Sequence, residues 1–438
     1  MAGLVAMPPN SDSPKARDYR RRLMTQVITN LQQTGTPLTP AVQAALHTVP
    51  RHLFTPGVAL AEAYENRVIP LKLTGRQLIS SISQPTMVAL MLHQLDLAPG
   101  HHVLEIGAGS GYNAALLAEL VGPTGRVTTI DLDADLTASA RANLAAAGYA
   151  HVNVITADGA LGHPPHAPYD RIILTAATAD LAPAWFQQLL PTGLCVAPLA
   201  LLPHGSHLSV AFAPLSVGLW RSQSIVECTF TPLRGALFAS NLTNLAPLGP
   251  NNNITIERGD HLPTPAADLT SLLDQSPIEI PTDLAITPLT AYRDLLLWLA
   301  AHIPTTRLIF ARRTPRSVRT FGDLLGPAFR LRREISALVV PACFSPAPTL
   351  GLALLTAEAR AQSEITRPLA LTIRSWGHPT IAHQLHSHLA QWHAAGRPGL
   401  NRLALTAALR GIEHPDTPAA ITRPNATFFL SWPDPAAP

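Results

Sequence analysis

A glycine-rich turn follows a short apolar run in the first half of the chain. The run, residues 103–106, contains one acid, Glu105, and the turn over residues 107–111 reads GAGSG. Glycines let the backbone approach a bound molecule that would collide with a Cβ atom. The pattern predicts a buried strand that ends in a cofactor-binding turn and leads into a helix.

The spacing of the glycines and the acid before them indicate which cofactor the turn binds. Dinucleotide-binding folds space their glycines as G-x-G-x-x-G and receive a pyrophosphate at the helix N-terminus, whereas this turn reads G-x-G-x-G. The carboxylate of Glu105 would repel a pyrophosphate but attract the positively charged sulfonium and ammonium groups of S-adenosylmethionine. The acid therefore favours methyl transfer over hydride transfer.

Two further acids stand at the ends of the next strand-like runs. Asp131 ends the second run, where a carboxylate can accept hydrogen bonds from both ribose hydroxyls, and Asp158 ends the third, where it can bond an adenine amine. Each acid alone is also typical of a helix cap or a turn. Three acids at successive strand ends favour a cofactor site. The predicted cofactor-binding residues are Glu105, Gly107, Ala108, Gly109, Ser110, Gly111, Asp131, Leu132, Asp158 and Gly159.

The elements that must position these residues can be traced along the chain. Strand-like runs alternate with helical stretches over residues 101–215, which predicts an α/β, Rossmann-like fold with a parallel sheet. Residues 216–285 collect Asn, Pro and Thr and lose that rhythm. We therefore expect a catalytic domain over residues 1–215, an irregular linker over 216–285, and an α/β or α+β C-terminal accessory domain over 286–438. Substrate recognition is one candidate role for the last.

Composition limits the class of protein. Of the 438 residues, 47% are hydrophobic and 13% are charged, which excludes a disordered chain. A net charge of +3 gives no basis for nucleic-acid or membrane binding, which needs clustered Lys and Arg. The sequence has no signal-like start and no apolar stretch of about 18 residues. Its three scattered cysteines lack metal or disulfide spacing. We expect a cytoplasmic protein without nucleic-acid or membrane partners, and the oligomeric state stays open.

Four histidines lie on one predicted helix near the C-terminus. Their H-x-x-H-x-H spacing would suit a metal ion, but the run contains no carboxylate or cysteine, so we predict no metal. They are His383, His386, His388 and His393.

Five segments of the first half carry further motifs. They read VPRHLF (49–54), SSISQPTMVALML (80–92), VLEIGAGSGYNAALLAEL (103–120), ADGALGHPPHAPYDRIILTAA (157–177) and LLPTGLCVAPL (189–199). These segments resemble the protein-L-isoaspartate O-methyltransferases over about residues 15–215. The ISQP tetrapeptide is peculiar to that family, whereas many methyltransferases share the glycine turn. The resemblance implies that S-adenosylmethionine esterifies an L-isoaspartyl or aspartyl side chain, and that the methyl ester then collapses to a succinimide.

The resemblance also implies roles for the ISQP residues. The family's catalytic serine falls on Ser83, and Ile82, Gln84 and Pro85 are expected to contact the substrate. A carboxylate with a pKa near 4 is already ionised and nucleophilic at neutral pH, so the enzyme has mainly to position it. We expect the Ser83 hydroxyl to donate to one carboxylate oxygen. Its structural alternative is a helix N-cap before Thr86, and one hydroxyl could serve both roles.

The sequence also departs from the family's repair enzymes. Those commonly read Tyr-x-Asp before the serine loop, whereas Tyr64, Glu65 and Asn66 stand here, and a long tail follows. The SSISQP variant, VECTFTPLRG (226–235) and WHAAGRP (392–398) resemble longer members that are associated with ribosomally made, modified peptides. A dedicated aspartate methyltransferase for a precursor peptide is therefore one alternative. A small-molecule O-methyltransferase is another, although it has no reason to keep ISQP. A catalytically dead binding module would be expected to lose Glu105, Asp131 or Ser83.

An arginine-rich stretch surrounds Phe310 and Phe329 in the tail. We interpret it as a solvated surface, with docking of an acidic peptide as the alternative. Its members are Arg307, Arg312, Arg313, Arg316, Arg319, Arg330, Arg332 and Arg333.

Overall fold

The computed structural model describes residues 12–33, 35–75, 77–201, 207–237, 245–248, 254–257, 265–286, 290–312, 337–345, 348–358, 369–412 and 419–433. The helices are α1 (Pro14–Gln33), α2 (Pro40–Thr48), α3 (Leu60–Ala63), α4 (Pro85–Leu95), α5 (Tyr112–Val121), α6 (Ala134–Ala146), α7 (Pro183–Gln188), α8 (Ala266–Leu273), α9 (Thr290–His302) and α10 (Thr380–Ala394). The strands are β1 (Ile69–Thr74), β2 (Gln77–Ile82), β3 (His102–Ile106), β4 (Arg126–Asp131), β5 (Asn153–Thr156), β6 (Tyr169–Leu174), β7 (Leu189–Leu199), β8 (His207–Ser216), β9 (Leu219–Cys228), β10 (Leu245–Leu248), β11 (Ile254–Glu257), β12 (Ile278–Ile286), β13 (Arg307–Arg312), β14 (Ala337–Ser345), β15 (Gly351–Glu358), β16 (Leu369–Gly377), β17 (Ala404–Leu409), β18 (Ala420–Thr422) and β19 (Ala426–Ser431).

A parallel sheet forms the centre of the first half of the chain. Its strands run in the order β5–β4–β3–β6–β7, and each adjacent pair is parallel. After β5 the chain returns to the other side of β3 to form β6, so the strand order reverses between β3 and β6. Ligands of open α/β sheets bind beside the carboxyl ends of the strands at such a reversal. The predicted α/β fold is confirmed, and its switch point lies at the glycine turn.

Helices cover this sheet because their apolar faces need burial. Helix α5 is buried along nearly its whole length. Helix α1 packs against α4, and α2 packs against both α4 and α5. Helix α2 begins at Pro40, where the Thr39 hydroxyl accepts a hydrogen bond from the Val42 amide. A threonine cap followed by proline is a strong start signal for a helix, so this boundary is readable from sequence.

The same sheet continues beyond β7 as antiparallel strands. Strands β8 and β9 follow in order, and then β17, β19 and β18 are added from the far end of the chain. Strand β17 pairs with β9 through contacts such as Ala407 with Trp220. Trp220 is 2% exposed and stacks on Phe186 with ring centroids 3.8 Å apart. Burial of this aromatic pair therefore depends on residues almost two hundred positions apart in sequence.

A second sheet occupies much of the tail. Its strands run in the order β10–β11–β13–β14–β15–β16–β12, and the pairs are antiparallel. Helix α10 packs on this sheet, so this region is of the α+β type. Helix α9 contributes Leu297 to the core of the first sheet, and Leu295 and Leu299 to the core of the second. One helix thus joins the two hydrophobic cores.

The observed elements differ from the linker expected over residues 216–285. Strands β9, β10 and β11, helix α8 and nearly all of β12 lie in this segment. Strands β17 to β19 belong to the first sheet, although they lie in the expected accessory domain. The assignment of separate domain roles stays a prediction. Within the described ranges, no helix is long and apolar enough to cross a membrane.

Candidate active site

The glycine turn has a backbone that other residues would not adopt easily. Gly107 has φ +109°, and a Cβ atom there would overlap the Oγ1 atom of Thr175. That hydroxyl donates a hydrogen bond to the Gly107 carbonyl oxygen at 2.7 Å. Gly111, with φ +87°, stands directly before helix α5. The left-handed conformation at these positions favours glycine, which explains the spacing in the sequence.

The carboxylate of Glu105 is fully buried at the end of β3. Its Oε1 atom accepts a hydrogen bond from Nδ2 of Asn113 at 2.8 Å, and Oε2 accepts one from Oγ1 of Thr129 at 2.6 Å. Burial raises the pKa of Glu105 to about 7, although the bonds from Thr129 and Asn113 favour the charged form. A buried acid with a perturbed pKa beside a cavity is typical of a functional site.

Asp131 connects the end of β4 to the turn. Its Oδ2 atom accepts a hydrogen bond from the Gly109 amide at 3.0 Å, and Oδ1 accepts one from the Asp133 amide at 3.2 Å. Burial raises the pKa of Asp131 above its ordinary value, against the effect of these two amides. The carboxylate therefore fixes the turn as well as facing the cavity beside it.

Two adjoining cavities lie at this edge of the sheet. The Asp131 cavity has an empty volume of about 560 Å³ and the Ser83 cavity about 460 Å³, sizes that suit small-molecule sites. Predicted site residues in the wall of the Asp131 cavity are Gly107, Gly109, Asp131, Leu132 and Gly159. Those in the wall of the Ser83 cavity are Ile82, Ser83, Glu105, Gly107, Ala108, Gly109 and Ser110.

Ser83 lies between β2 and α4 in the wall of its cavity, half-buried. Its hydroxyl makes no hydrogen bond within the part of the chain that the structure describes. The alternative interpretation as the N-cap of α4 is wrong, because Gln84 holds the cap position and Pro85 begins the helix. The Oδ1 atom of Asn66 instead accepts a hydrogen bond from the Thr86 amide at 3.1 Å. The serine hydroxyl is thus available to a ligand.

Four predicted residues lie outside the walls of both cavities: Gly111, Asp158, Gln84 and Pro85. The carboxylate of Asp158 accepts hydrogen bonds from the Ala160 amide at 2.9 Å and from the Ala236 amide at 2.7 Å. Asp158 therefore caps a short turn and anchors a distant segment. Its bond to an adenine amine stays a prediction.

That distant segment, residues 231–236, is a part of the site that the sequence did not reveal. Thr231, Pro232, Leu233 and Arg234 all line the Asp131 cavity. The segment pairs with Ala177, whose amide donates to the Thr231 carbonyl oxygen at 2.8 Å and whose carbonyl oxygen accepts from the Leu233 amide at 2.6 Å. No acid or glycine pattern marks it, and only its likeness to longer family members had drawn attention to it.

A charged cluster joins this segment to the β1–β2 hairpin. The Asp133 carboxylate lies 2.7 Å from Nζ of Lys72 and 2.9 Å from a guanidinium nitrogen of Arg234. Hydrogen bonds from Arg234 and, to a smaller extent, from Lys72 hold the pKa of Asp133 below its ordinary value. Ile79, Ser80 and Ser81 of the hairpin also line the Asp131 cavity. One carboxylate therefore connects two of its walls.

Two features of the tail lie apart from these cavities. The four histidines are on α10, and His388 packs 5.3 Å from the His302 ring. Among the described residues, no group of three or more His, Cys, Asp and Glu side chains is placed to hold a metal ion. The arginine-rich stretch falls largely outside the described residues, which include only Arg307 and Arg312 of it.

Comparison with known proteins identifies relatives of the first half of the chain. The family model described as "Protein-L-isoaspartate(D-aspartate) O-methyltransferase (PCMT)" matches residues 22–236. A protein-L-isoaspartate O-methyltransferase of Methanococcus vannielii is 39% identical over 211 residues, which are 48% of this chain and 96% of that protein. The enzyme of the same name from Hyperthermus butylicus is 40% identical over 227 residues, which are 50% of this chain and 90% of that protein.

A solved structure extends the likeness of the fold to the tail. The structure of a protein named protein-L-isoaspartate O-methyltransferase covers 94% of this chain and 99% of its own, with a TM-score of 0.50 and 20% identity. At this identity the comparison establishes the fold alone. The matched family segment ends at residue 236, so it includes the segment that closes the Asp131 cavity.

Proposed function

The chain belongs to the protein-L-isoaspartate O-methyltransferase family, and we therefore propose that it methylates the side-chain carboxyl group of L-isoaspartyl or aspartyl residues in a protein or peptide. The observation that carries this proposal is the placement of Ser83 and Glu105 in the walls of one cavity. The Ser83 hydroxyl, which makes no hydrogen bond to the residues that the structure describes, offers a site for a carboxylate. The buried acid Glu105 offers a site for a cationic group.

The residues present fit S-adenosylmethionine as the cofactor. Glu105 would hold its ammonium group, because a buried carboxylate interacts strongly with a cation. Asp131 would accept hydrogen bonds from the ribose hydroxyls, and Gly107 and Gly109 would leave room for the ligand beside the turn. When bound, S-adenosylmethionine supplies a methyl group that a carboxylate oxygen can attack, which leaves a neutral thioether and needs no proton transfer.

The chain's own contribution to the reaction would be positioning. The Ser83 hydroxyl would donate to one oxygen of the substrate carboxylate and leave the other oxygen free to react. Ile82, Gln84 and Pro85 would contact the substrate beside it, and of these three Ile82 lines the Ser83 cavity. The resulting methyl ester has a better leaving group than the acid, so the following backbone nitrogen can close a succinimide.

The identity of the substrate separates two versions of this proposal. General action on damaged proteins is one, and modification of a chosen aspartate in a ribosomally synthesised precursor peptide is the other. The departure at Asn66 does not separate them, because this residue caps α4 and lies in the wall of neither cavity. The second sheet, which lies beyond the matched family segment, offers a surface that could bind such a partner. A small-molecule acceptor is the remaining alternative.

We place the enzyme in the cytoplasm as part of the same proposal. The three cysteines, Cys195, Cys228 and Cys343, are free and buried. Burial raises the pKa of each thiol, which makes buried cysteines unreactive. Such thiols are compatible with a reducing compartment.

The test is methyl-ester formation by the full chain with S-adenosylmethionine, followed by mass spectrometry. The acceptors are a matched pair of peptides that differ only in an isoaspartyl or aspartyl residue. A base-labile gain of one methyl group on the isoaspartyl peptide alone supports the repair version. A gain on neither peptide, while S-adenosylhomocysteine still binds, removes the general activity and leaves a dedicated partner or a small molecule as the acceptor.

A further inference from the structure

Arg51 is a fully buried arginine beside the Ser83 loop. It lies in a short 3₁₀ helix, Arg51–Phe54, and its guanidinium donates three hydrogen bonds to backbone carbonyl oxygens. Nε binds Ala63 at 2.9 Å, Nη1 binds Ser83 at 3.2 Å, and Nη2 binds Arg67 at 3.3 Å. One side chain therefore contacts three backbone positions that lie up to 32 residues away from it in sequence.

The surroundings of this guanidinium are unusual for a buried charge. Its centre lies 5.1 Å from the ring centroid of Tyr112, and within the described ranges no carboxylate pairs with it. Burial lowers the pKa of Arg51, partly offset by Tyr112 and Tyr64. A buried charge without an ionic partner costs several kcal/mol or more in principle. The three carbonyl oxygens must therefore stabilise the guanidinium charge in place of a carboxylate.

Ser83 and Tyr112, both contacts of Arg51, line the Ser83 cavity. The next turn of the chain is held separately, because Asn66 caps the Thr86 amide. Arg51 is therefore the contact that fixes the peptide of Ser83 itself. A planar guanidinium suits this role, because its donors have a rigid arrangement that lysine lacks.

We propose that Arg51 is a positioning residue, which holds the Ser83 peptide so that the serine hydroxyl meets the substrate carboxylate at a productive distance. This inference rests on the proposed function. It assigns to the VPRHLF segment a task in the reaction, although Arg51 does not line the cavity and reaches the substrate only through Ser83.

The test compares Arg51→Lys, Ser83→Ala and the double variant in the full chain. We expect Arg51→Lys to lower kcat on the isoaspartyl peptide by about tenfold to a hundredfold, since small misplacements of a reacting group have costs of this size. The Kd of S-adenosylhomocysteine should stay within about twofold. The double variant should be no slower than Ser83→Ala, because the arginine acts through the serine.

Arg171→Lys is the matched control, because Arg171 also donates to backbone carbonyl oxygens, those of Leu95 and Asp96. Its kcat should equal that of the wild type. Hydrogen–deuterium exchange gives a readout without catalysis: peptides covering residues 77–86 should exchange faster in Arg51→Lys but not in Arg171→Lys. Unchanged kcat, additive losses in the double variant, or an equal loss of cofactor affinity would each overturn the proposal.

A measurement on the unaltered protein covers the case in which Arg51→Lys does not fold. The Nη1–H resonance of Arg51, which reports on the bond to the Ser83 carbonyl oxygen, should shift when S-adenosylhomocysteine and the isoaspartyl peptide saturate the protein, while the guanidinium resonances of Arg171 stay fixed. An Arg51 resonance that does not respond contradicts the inference. If the wild type instead fails to methylate any acceptor, the proposed function fails, whereas the exchange comparison still tests the hold of Arg51 on the loop.

Discussion

The backbone amide of Asn425 lies 2.8 Å from Oδ2 of Asp180. Asp180 is buried and follows the Thr175–Ala176 wall of the Asp131 cavity, while Asn425 lies in the turn between β18 and β19. The second carboxylate oxygen of Asp180 accepts from the Leu181 amide at 2.9 Å. The C-terminal β18–β19 hairpin is thus bonded directly to a segment beside the Asp131 cavity.

Asp180→Ala should destabilise the whole first sheet, not only its last hairpin. The change leaves two backbone amides without their acceptor, which costs about 1–3 kcal/mol for a buried donor. Urea unfolding of the full chain measures the loss. The matched change Asp268→Ala, at an exposed position of α8, should alter the free energy of unfolding by less than about 0.5 kcal/mol. Equal effects of the two changes would argue against the link.

Binding of S-adenosylhomocysteine should weaken as the pH falls through about 7, the pKa of buried Glu105. The ligand's ammonium group needs the ionised carboxylate, so each pH unit below that pKa should lower affinity by up to about tenfold. Isothermal titration between pH 5 and 9 measures this. Glu105→Gln should bind weakly at every pH and lose the slope; a slope that persists in this variant assigns it to another group.

The raised pKa of Glu105 also affects the stability of the ligand-free protein, which should depend on pH in the opposite direction to ligand binding. Because the pKa of Glu105 is above its value of 4.5 in an unfolded chain, ionisation of this residue opposes folding of the ligand-free protein. Its unfavourable contribution grows from pH 4.5 to 7 and is relieved as the pH falls. Ligand-free Glu105→Gln should therefore gain stability over the wild type at pH 8 and show no such gain at pH 4.

Ser83→Ala should lower kcat while the Kd of S-adenosylhomocysteine is nearly unchanged. The hydroxyl makes no hydrogen bond in the described part of the chain, so its removal costs little stability and acts on the carboxylate contact alone. Steady-state kinetics and titration together decide the point. Ser216→Ala, at an exposed position at the end of β8, is the control. An equal loss of cofactor affinity would place Ser83 in the cofactor site instead.

Asp131→Ala should weaken cofactor binding more than Asp131→Asn. Both changes remove the charge, which is worth about 1.5–3 kcal/mol in a hydrogen bond. Asparagine, however, keeps an oxygen that can accept from the Gly109 amide, so the turn stays in place. Titration of S-adenosylhomocysteine ranks the variants. Equal affinities for wild type and both variants would remove Asp131 from the ribose site.

Asp133→Asn should speed the release of S-adenosylhomocysteine. The carboxylate joins Lys72 of the hairpin to Arg234 of the 231–236 segment, and both the hairpin and this segment contribute residues to the wall of the Asp131 cavity. The three side chains are partly exposed, so salt should speed release from the wild type and have less effect on the variant. Stopped-flow release at two salt concentrations measures this. Asp18→Asn, which also frees two arginines on α1, should have no effect.

Truncation of the chain near residue 220 would remove part of the wall of the Asp131 cavity. The shortened chain would lack most of β9 and the whole 231–236 segment, which lines the Asp131 cavity. Loss of activity in such a truncation would not report on the tail. Substitutions such as Asp180→Ala test the contribution of the tail without removing a wall of the site.

Local residue patterns were sufficient to predict several parts of this protein. The glycines of the turn stand where φ is positive, and the acids at the ends of β3 and β4 line two adjoining cavities because parallel strands end at one edge. Thr39 and Pro40 are a local start signal of the same kind for α2. These features depend on residues within a few positions of one another, so their patterns are readable.

The choice of distant segments that complete the site came from tertiary packing. Asp158 bonds Ala236 across 78 positions, and the Leu405 amide bonds Ser222 across 183. Arg51 meets Ser83, and Asn66 takes the capping role that Ser83 could have filled. None of these contacts can be recognised from a pattern in the sequence, because a backbone carbonyl or amide can be supplied by almost any residue type. The partner is chosen by the packing of the whole sheet, which no local pattern encodes.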